Sequence, residues 1–139
     1  MYKAFKDKNN KDVFTPPAVF EVASGKKYRF RFASNGILNC PLQVSVDDHN
    51  LLVIASDGSP FEPIEVKSVI IFAGERYDFV INANKTVGNY WIRIGGMADC
   101  GVKQAKQVAI LRYKGASEEH PTAPTTYKSM FPDGRVRIY

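Results

Sequence analysis

A chain of 139 residues is the size of one ordinary domain and too short for two. Its apolar fraction of 45% and charged fraction of 24% lie near the averages of soluble globular proteins, which excludes a disordered or fibrous polymer for the bulk of the chain. The formal charge of +5 invites a phosphate-rich partner, but the cations fall in separate clusters without the aromatic interleaving of a single-strand binder, so a solvated face and no nucleic acid are expected.

Residues 1–12 are mostly lysine, asparagine and aspartate and read as an N-terminal linker. They lack the basic region followed by an apolar stretch that marks a signal peptide, so Met1 reads as a fragment start. No later run reaches the roughly 18 apolar residues that cross a bilayer, and no membrane partner is expected.

From residue 13 to 115 the pattern is that of strands. Residues 19–22 open the series, and Ser24-Gly25 supplies a turn. Tyr28, Phe30 and Phe32 then alternate with Lys27, Arg29 and Arg31, which predicts a strand with an aromatic face and a cationic face. Leu42, Val44 and Val46 alternate with Gln43, Ser45 and Asp47 in the same way. Residues 51–55 and 64–72 are each predicted as one strand, with the turn Asp57-Gly58-Ser59-Pro60 between them. After Ala73-Gly74, Tyr77, Phe79 and Ile81 alternate with Arg76, Asp78 and Asn82; Tyr77 is placed either at a corner where its hydroxyl bonds the backbone or in the core. Val87-Gly88-Asn89 precedes residues 90–94, and residues 108–113 complete about eight strands. No stretch keeps a helical period for three turns, so the predicted fold is an all-β Greek-key sandwich or barrel. Residues 116–139 carry several prolines among small polar residues and read as a C-terminal linker.

The chemistry-bearing residues are few. A type 1 copper centre needs two imidazoles and a thiolate close together. The two histidines are His49, at a strand turn, and His120, in the tail, while Cys40 and Cys100 lie in separate segments. A trinuclear copper cluster would consume more histidines than the chain has. Ser56, Ser59 and Ser68 have no histidine nearby in sequence, so a hydrolase is not expected. Asp47 with Asp48, and Glu118 with Glu119, read as solvated surface, and Gly95-Gly96 has no following helix to make a phosphate cradle. Cys40 and Cys100 have three readings: a disulfide with each other, bridges to cysteines of flanking segments, or buried thiols. Asn84-Lys85-Thr86 is a possible N-glycosylation site, usable only on a secreted chain.

The order of several motifs resembles the middle domain of multicopper oxidases of the laccase type. Tyr28-Arg29-Phe30-Arg31-Phe32, then Asn39-Cys40-Pro41, then His49 before Leu52-Val53-Ile54-Ala55-Ser56-Asp57-Gly58, carry the first half. Ala73-Gly74-Glu75-Arg76-Tyr77-Asp78-Phe79-Val80, Val87-Gly88-Asn89-Tyr90-Trp91-Ile92-Arg93 and Ala109-Ile110-Leu111-Arg112-Tyr113 carry the second. Asp99-Cys100-Gly101 is most similar to insect laccases, those that tan cuticle in particular.

The resemblance implies a cupredoxin-like domain that holds no copper itself, with copper in flanking cupredoxin domains of a secreted parent chain. It implies that the parent oxidises phenols or diphenols while reducing oxygen, and that this segment alone is inactive. The segments 35–41 and 96–104 match loops that approach the phenol, making Leu38, Asn39, Met97, Asp99 and Val102 candidates for the pocket wall. Apolar members would contact the ring, and Asp99 would accept a phenolic proton. Pro41 stands where fungal members have an acidic residue after the cysteine, so no proton acceptor is expected in that loop. His49 matches a histidine outside any copper site. A reading from another class is an autonomous β-sandwich binding module without catalysis.

Overall fold

The computed structural model describes residues 5–6, 8–10, 12–13, 16–36, 41–97 and 106–125. All regular structure among them is strand: β1 (Phe5–Lys6), β2 (Asp12–Val13), β3 (Val19–Val22), β4 (Lys27–Ala33), β5 (Leu42–Val46), β6 (Leu51–Ser56), β7 (Ser59–Val66), β8 (Ser68–Ile71), β9 (Arg76–Asn82), β10 (Asn89–Gly96) and β11 (Lys106–Tyr113). They form a five-stranded sheet in the order β3-β11-β10-β5-β8, a four-stranded sheet in the order β4-β9-β6-β7, and the small pair β1-β2. Only β3 and β11 pair in parallel. The predicted all-β Greek-key sandwich is therefore the observed architecture.

The two large sheets close on a common core. Leu51, Ile81, Leu111 and Tyr113 are fully buried there, and each buried side chain of the Leu or Ile type stabilises the fold by about 1.5–3 kcal/mol. The alternation in β4 is realised as expected. Tyr28, Phe30 and Phe32 pack on the core, and Phe30 stacks on its cross-strand partner Phe79 with ring centroids 5.7 Å apart. On the solvent side Arg29 pairs with Asp78.

Two turns set the geometry. Asp57 and Gly58 both have positive φ, 50° and 86°, the type I′ pattern whose twist suits a two-residue hairpin, here between β6 and β7. Asp47 and Asp48, the latter at φ 60°, carry the chain from β5 in one sheet to β6 in the other, through an isolated bridge between Val46 and His49.

The structure departs from the expected elements at several points, β1 and β2 near the N-terminus among them, and decides between the two readings of Tyr77. The run 64–72 is two strands, because the chain bends at Lys67 and passes from the edge of the four-stranded sheet to the edge of the five-stranded one. Upstream, Pro60 and Pro63 are tolerated in β7 because it is an edge strand with one unpaired side. Tyr77 packs against the core, and the hydroxyl that reaches back to main chain four residues upstream belongs to Tyr90, donating to the Thr86 carbonyl at 2.7 Å. Finally, both faces of the five-stranded sheet are covered. Gln43 and Arg93 are buried on its outer face, together with a small cluster of Trp91, Val108 and Ile110.

Candidate functional site

Strand β10 runs between the two poles of the sandwich. At its far end, the Met97 amide donates to the Pro41 carbonyl at 2.9 Å, and Gly96 is in register with Leu42. The two segments expected to line a phenol pocket thus leave the same pole from adjacent strand ends. Nearby, the Ser34 amide donates to the Glu75 carbonyl and the Gly74 amide to the Ser34 carbonyl, which fixes the start of the first segment against the 73–75 turn. Of the expected wall residues Met97 is placed, half-buried at this junction. Leu38, Asn39, Asp99 and Val102 lie outside the described residues, as do Cys40 and Cys100.

The opposite pole holds a buried aromatic network that the sequence did not announce. His49 is 4% exposed, and its Nδ1 lies 2.7 Å from the Asp47 carbonyl oxygen, which can only accept, so Nδ1 carries the proton. Nε2 is then the acceptor for the Tyr113 hydroxyl, also at 2.7 Å, while that hydroxyl accepts the Lys85 amide at 3.2 Å. The Tyr90 ring meets the imidazole edge to face at 4.9 Å. Burial pushes the imidazole below its ordinary value near 6.5, against the pull of the Asp47 carbonyl, and raises the hydroxyls of Tyr90 and Tyr113. His49 is neutral at neutral pH.

From this turn an ion pair crosses to the outer face of the sheet. The Asp47 carboxylate takes two hydrogen bonds of 2.6 Å from Arg93, in the forked geometry that favours arginine over lysine. Arg93 also donates to the Pro124 carbonyl, Trp91 to the Ala123 carbonyl, Asn89 to the Ser117 carbonyl and Arg112 to the Glu118 carbonyl. Asn89, Trp91 and Arg93 are spaced by two along β10 and so share one face. Together with Arg112 they strap residues 117–124 across the sheet. Between this strap, the Asp47-Asp48 turn and the 86–90 loop lies an open cleft of about 550 Å³, with His120 on its rim. The His120 ring packs edge to face on Trp91 at 5.8 Å.

Both ring nitrogens of His49 are bonded within the domain, and among the described residues no three His, Cys, Asp or Glu side chains converge as a metal site. These residues do not fit a type 1 centre. The Ser68 hydroxyl accepts from Gln43, and the His49 imidazole is taken by Tyr113. Among the described residues no helix is long and apolar enough to cross a membrane.

Comparison with known proteins gives a consistent result. The family model described as multicopper oxidase matches residues 3–116. Laccase-2 of Pleurotus ostreatus is 44% identical over 115 residues, covering 81% of this chain and 21% of that protein. Laccase-2 of Trametes versicolor is 46% identical over 112 residues, covering 78% and 21%. The crystal structure of the laccase from Botrytis aclada superposes with a TM-score of 0.72 at 31% identity, covering 88% of this chain and 23% of that one. The fold is thus cupredoxin-like, and the chain spans about a fifth of the length of these relatives. With a family model that covers most of its length and laccases as close relatives, the chain belongs to the multicopper oxidase family.

Proposed function

We infer that the chain is the copper-free middle domain of a secreted laccase-like oxidase, a spacer that orients copper-bearing cupredoxin neighbours and forms part of the phenol-pocket wall. The parent would take single electrons from phenols or diphenols and pass them to oxygen. The observation that carries the reading is the donor shortage: the chain has two histidines, and His49 has both ring nitrogens committed to Asp47 and Tyr113. An oxidase complete in itself needs many more. The domain proper would run from 13 to 115, with 1–12 and 116–139 as connections to neighbours, the second of them starting as the strap 117–124 bound to the sheet.

The Pro41–Met97 hydrogen bond supports the assignment of Leu38, Asn39, Met97, Asp99 and Val102 to one wall, because both loops emanate from it. Cys40, next to Pro41, and Cys100, three residues beyond Met97, remain the candidate disulfide pair of this reading. Val19 and Phe20 on β3, and Phe61 and Ile64 on β7, are exposed apolar side chains on edge strands, and neighbours docked against those edges would cover them. Likeness to insect laccases rests on Asp99-Cys100-Gly101 alone, whereas the relatives named above are fungal, so the proposal concerns laccases in general and leaves cuticle tanning aside.

The test is made on the full-length parent. Met97→Ala and Asp99→Asn are expected to raise KM for a phenol several-fold, with copper content unchanged. Unaltered phenol kinetics in both variants would remove these residues from the pocket wall.

A further inference from the structure

We propose that Asn84 carries an N-linked glycan and that the pole of the sandwich around it faces solvent in the parent protein. The inference rests on the secreted-laccase reading above, since only a chain passing through the secretory pathway meets the transferase.

Asn84-Lys85-Thr86 is the one Asn-X-Ser/Thr triplet in the sequence, and its middle residue is not proline. The transferase acts on an unfolded chain, so the folded structure decides whether a bulky sugar can be accommodated. Here it can. All three residues are exposed, in the loop between β9 and β10. The loop backbone is fixed by other groups: the Asn84 amide donates to the Asn82 carbonyl, the Lys85 amide to the Tyr113 hydroxyl, and the Thr86 carbonyl accepts from Tyr90. None of these bonds uses the side chain of Asn84 or Thr86, so a sugar on Asn84 disturbs no bond of the buried network beneath it. Val87, next in sequence and 50% exposed, is the most exposed large apolar side chain among the described residues, and a sugar ring lying over it would take it from water.

The placement also orders the molecule. Asn84 lies just beyond the start of β10, and Met97 follows its end. Eight residues of strand separate the two poles by about 25 Å at roughly 3.3 Å per residue. A glycan at one pole therefore leaves the proposed pocket wall at the other pole clear. The reacting atoms balance simply. The Asn84 side-chain nitrogen bonds to C1 of the first N-acetylhexosamine of a polyprenyl-diphosphate-linked oligosaccharide. The bond from C1 to the phosphate oxygen breaks, the diphosphate leaves with its electron pair, and one amide proton is released.

The experiment uses the full-length parent with a secretory leader, produced in a eukaryotic host, with peptide mass mapping before and after N-glycosidase and a phenol turnover assay. The expected result is a glycan on Asn84, lost in both Asn84→Gln and Thr86→Val, kept in Thr86→Ser, with phenol turnover unchanged by the glycosidase. A secreted wild-type chain with unmodified Asn84 would overturn the site, and mapping of that chain decides the matter even if a variant fails to fold. Loss of phenol turnover on deglycosylation would overturn the separation of the two poles. A secreted, unglycosylated enzyme that oxidises phenols sinks the glycan alone, whereas a glycosylated chain inert toward phenols sinks the laccase reading alone.

Discussion

Replacing Tyr113 by Phe removes a single oxygen from a fully buried ring and keeps the ring's packing against His49 and Tyr90. That oxygen donates to His49 Nε2 and accepts the Lys85 amide. Stranding a buried imidazole nitrogen costs roughly 1–3 kcal/mol, and the exposed Lys85 loop, where water can substitute, adds about 0.5 kcal/mol. The sum is about 1.5–3.5 kcal/mol, which for a domain of this size lowers Tm by roughly 5–12 °C. Trp91 is the only tryptophan in the chain and is 1% exposed, so its fluorescence follows unfolding in denaturant directly. Tyr90→Phe is the internal comparison: its hydroxyl sits in a half-buried side chain and donates to a main-chain carbonyl, and its loss should cost only about 0.5–1 kcal/mol. If Tyr113→Phe proves no more destabilising than Tyr90→Phe, the buried network is not a source of stability.

The same network makes stability depend on pH. Burial depresses the His49 imidazole in the folded state, so the unfolded chain binds the extra proton more readily; the stability from neutral His49 is present above about pH 6.5 and is lost as pH falls toward the folded value. Denaturant midpoints taken downward from neutral pH should therefore decline, with a shallower slope in His49→Gln, and equal slopes would contradict the assignment. Asp47→Asn removes the charge opposite the buried Arg93 and one of its three acceptor oxygens, and because Asp47 is partly exposed the expected cost is about 2–3 kcal/mol, below the full value for a deeply buried pair. Arg93→Met should release the Pro124 end of the strap, seen as faster limited proteolysis within residues 117–124; an unchanged cleavage pattern would show that Trp91 and Arg112 suffice to hold it. Gly58→Ala places a side chain at φ 86° with no steric neighbour, so its cost of about 1 kcal/mol would come from backbone conformation alone.

How far residues announce structure depends on whether one face or two is buried. In β4 the alternation was readable because Lys27, Arg29 and Arg31 face water while Tyr28, Phe30 and Phe32 face the core. In β10 the second face is covered by the strap, and in β5 the outward Gln43 is buried as well. Polar Gln43 and Arg93 are buried there through bonds to Ser68, Asp47 and the Pro124 carbonyl. Nothing marked residues 117–124 as a covering segment, because their contribution is main-chain carbonyls, which any sequence supplies. The run 64–72 hid its bend at Lys67 because a continuous apolar stretch suits strands in either sheet. His49 was legible as a residue outside any copper site, but its partner Tyr113 stands 64 positions away at the end of the last strand, beyond the range of any local pattern. The proposed pocket wall rests on family likeness, and the Pro41–Met97 bond contributes the adjacency of the strand ends from which its two segments leave.

The most direct measurement is the copper content of the purified, folded segment after incubation with excess copper and removal of loosely bound metal, read alongside its visible absorbance. A folded chain with no stoichiometric copper and no blue charge-transfer band is the predicted result. One tightly held copper per chain with such a band would contradict the account of a copper-free spacer domain.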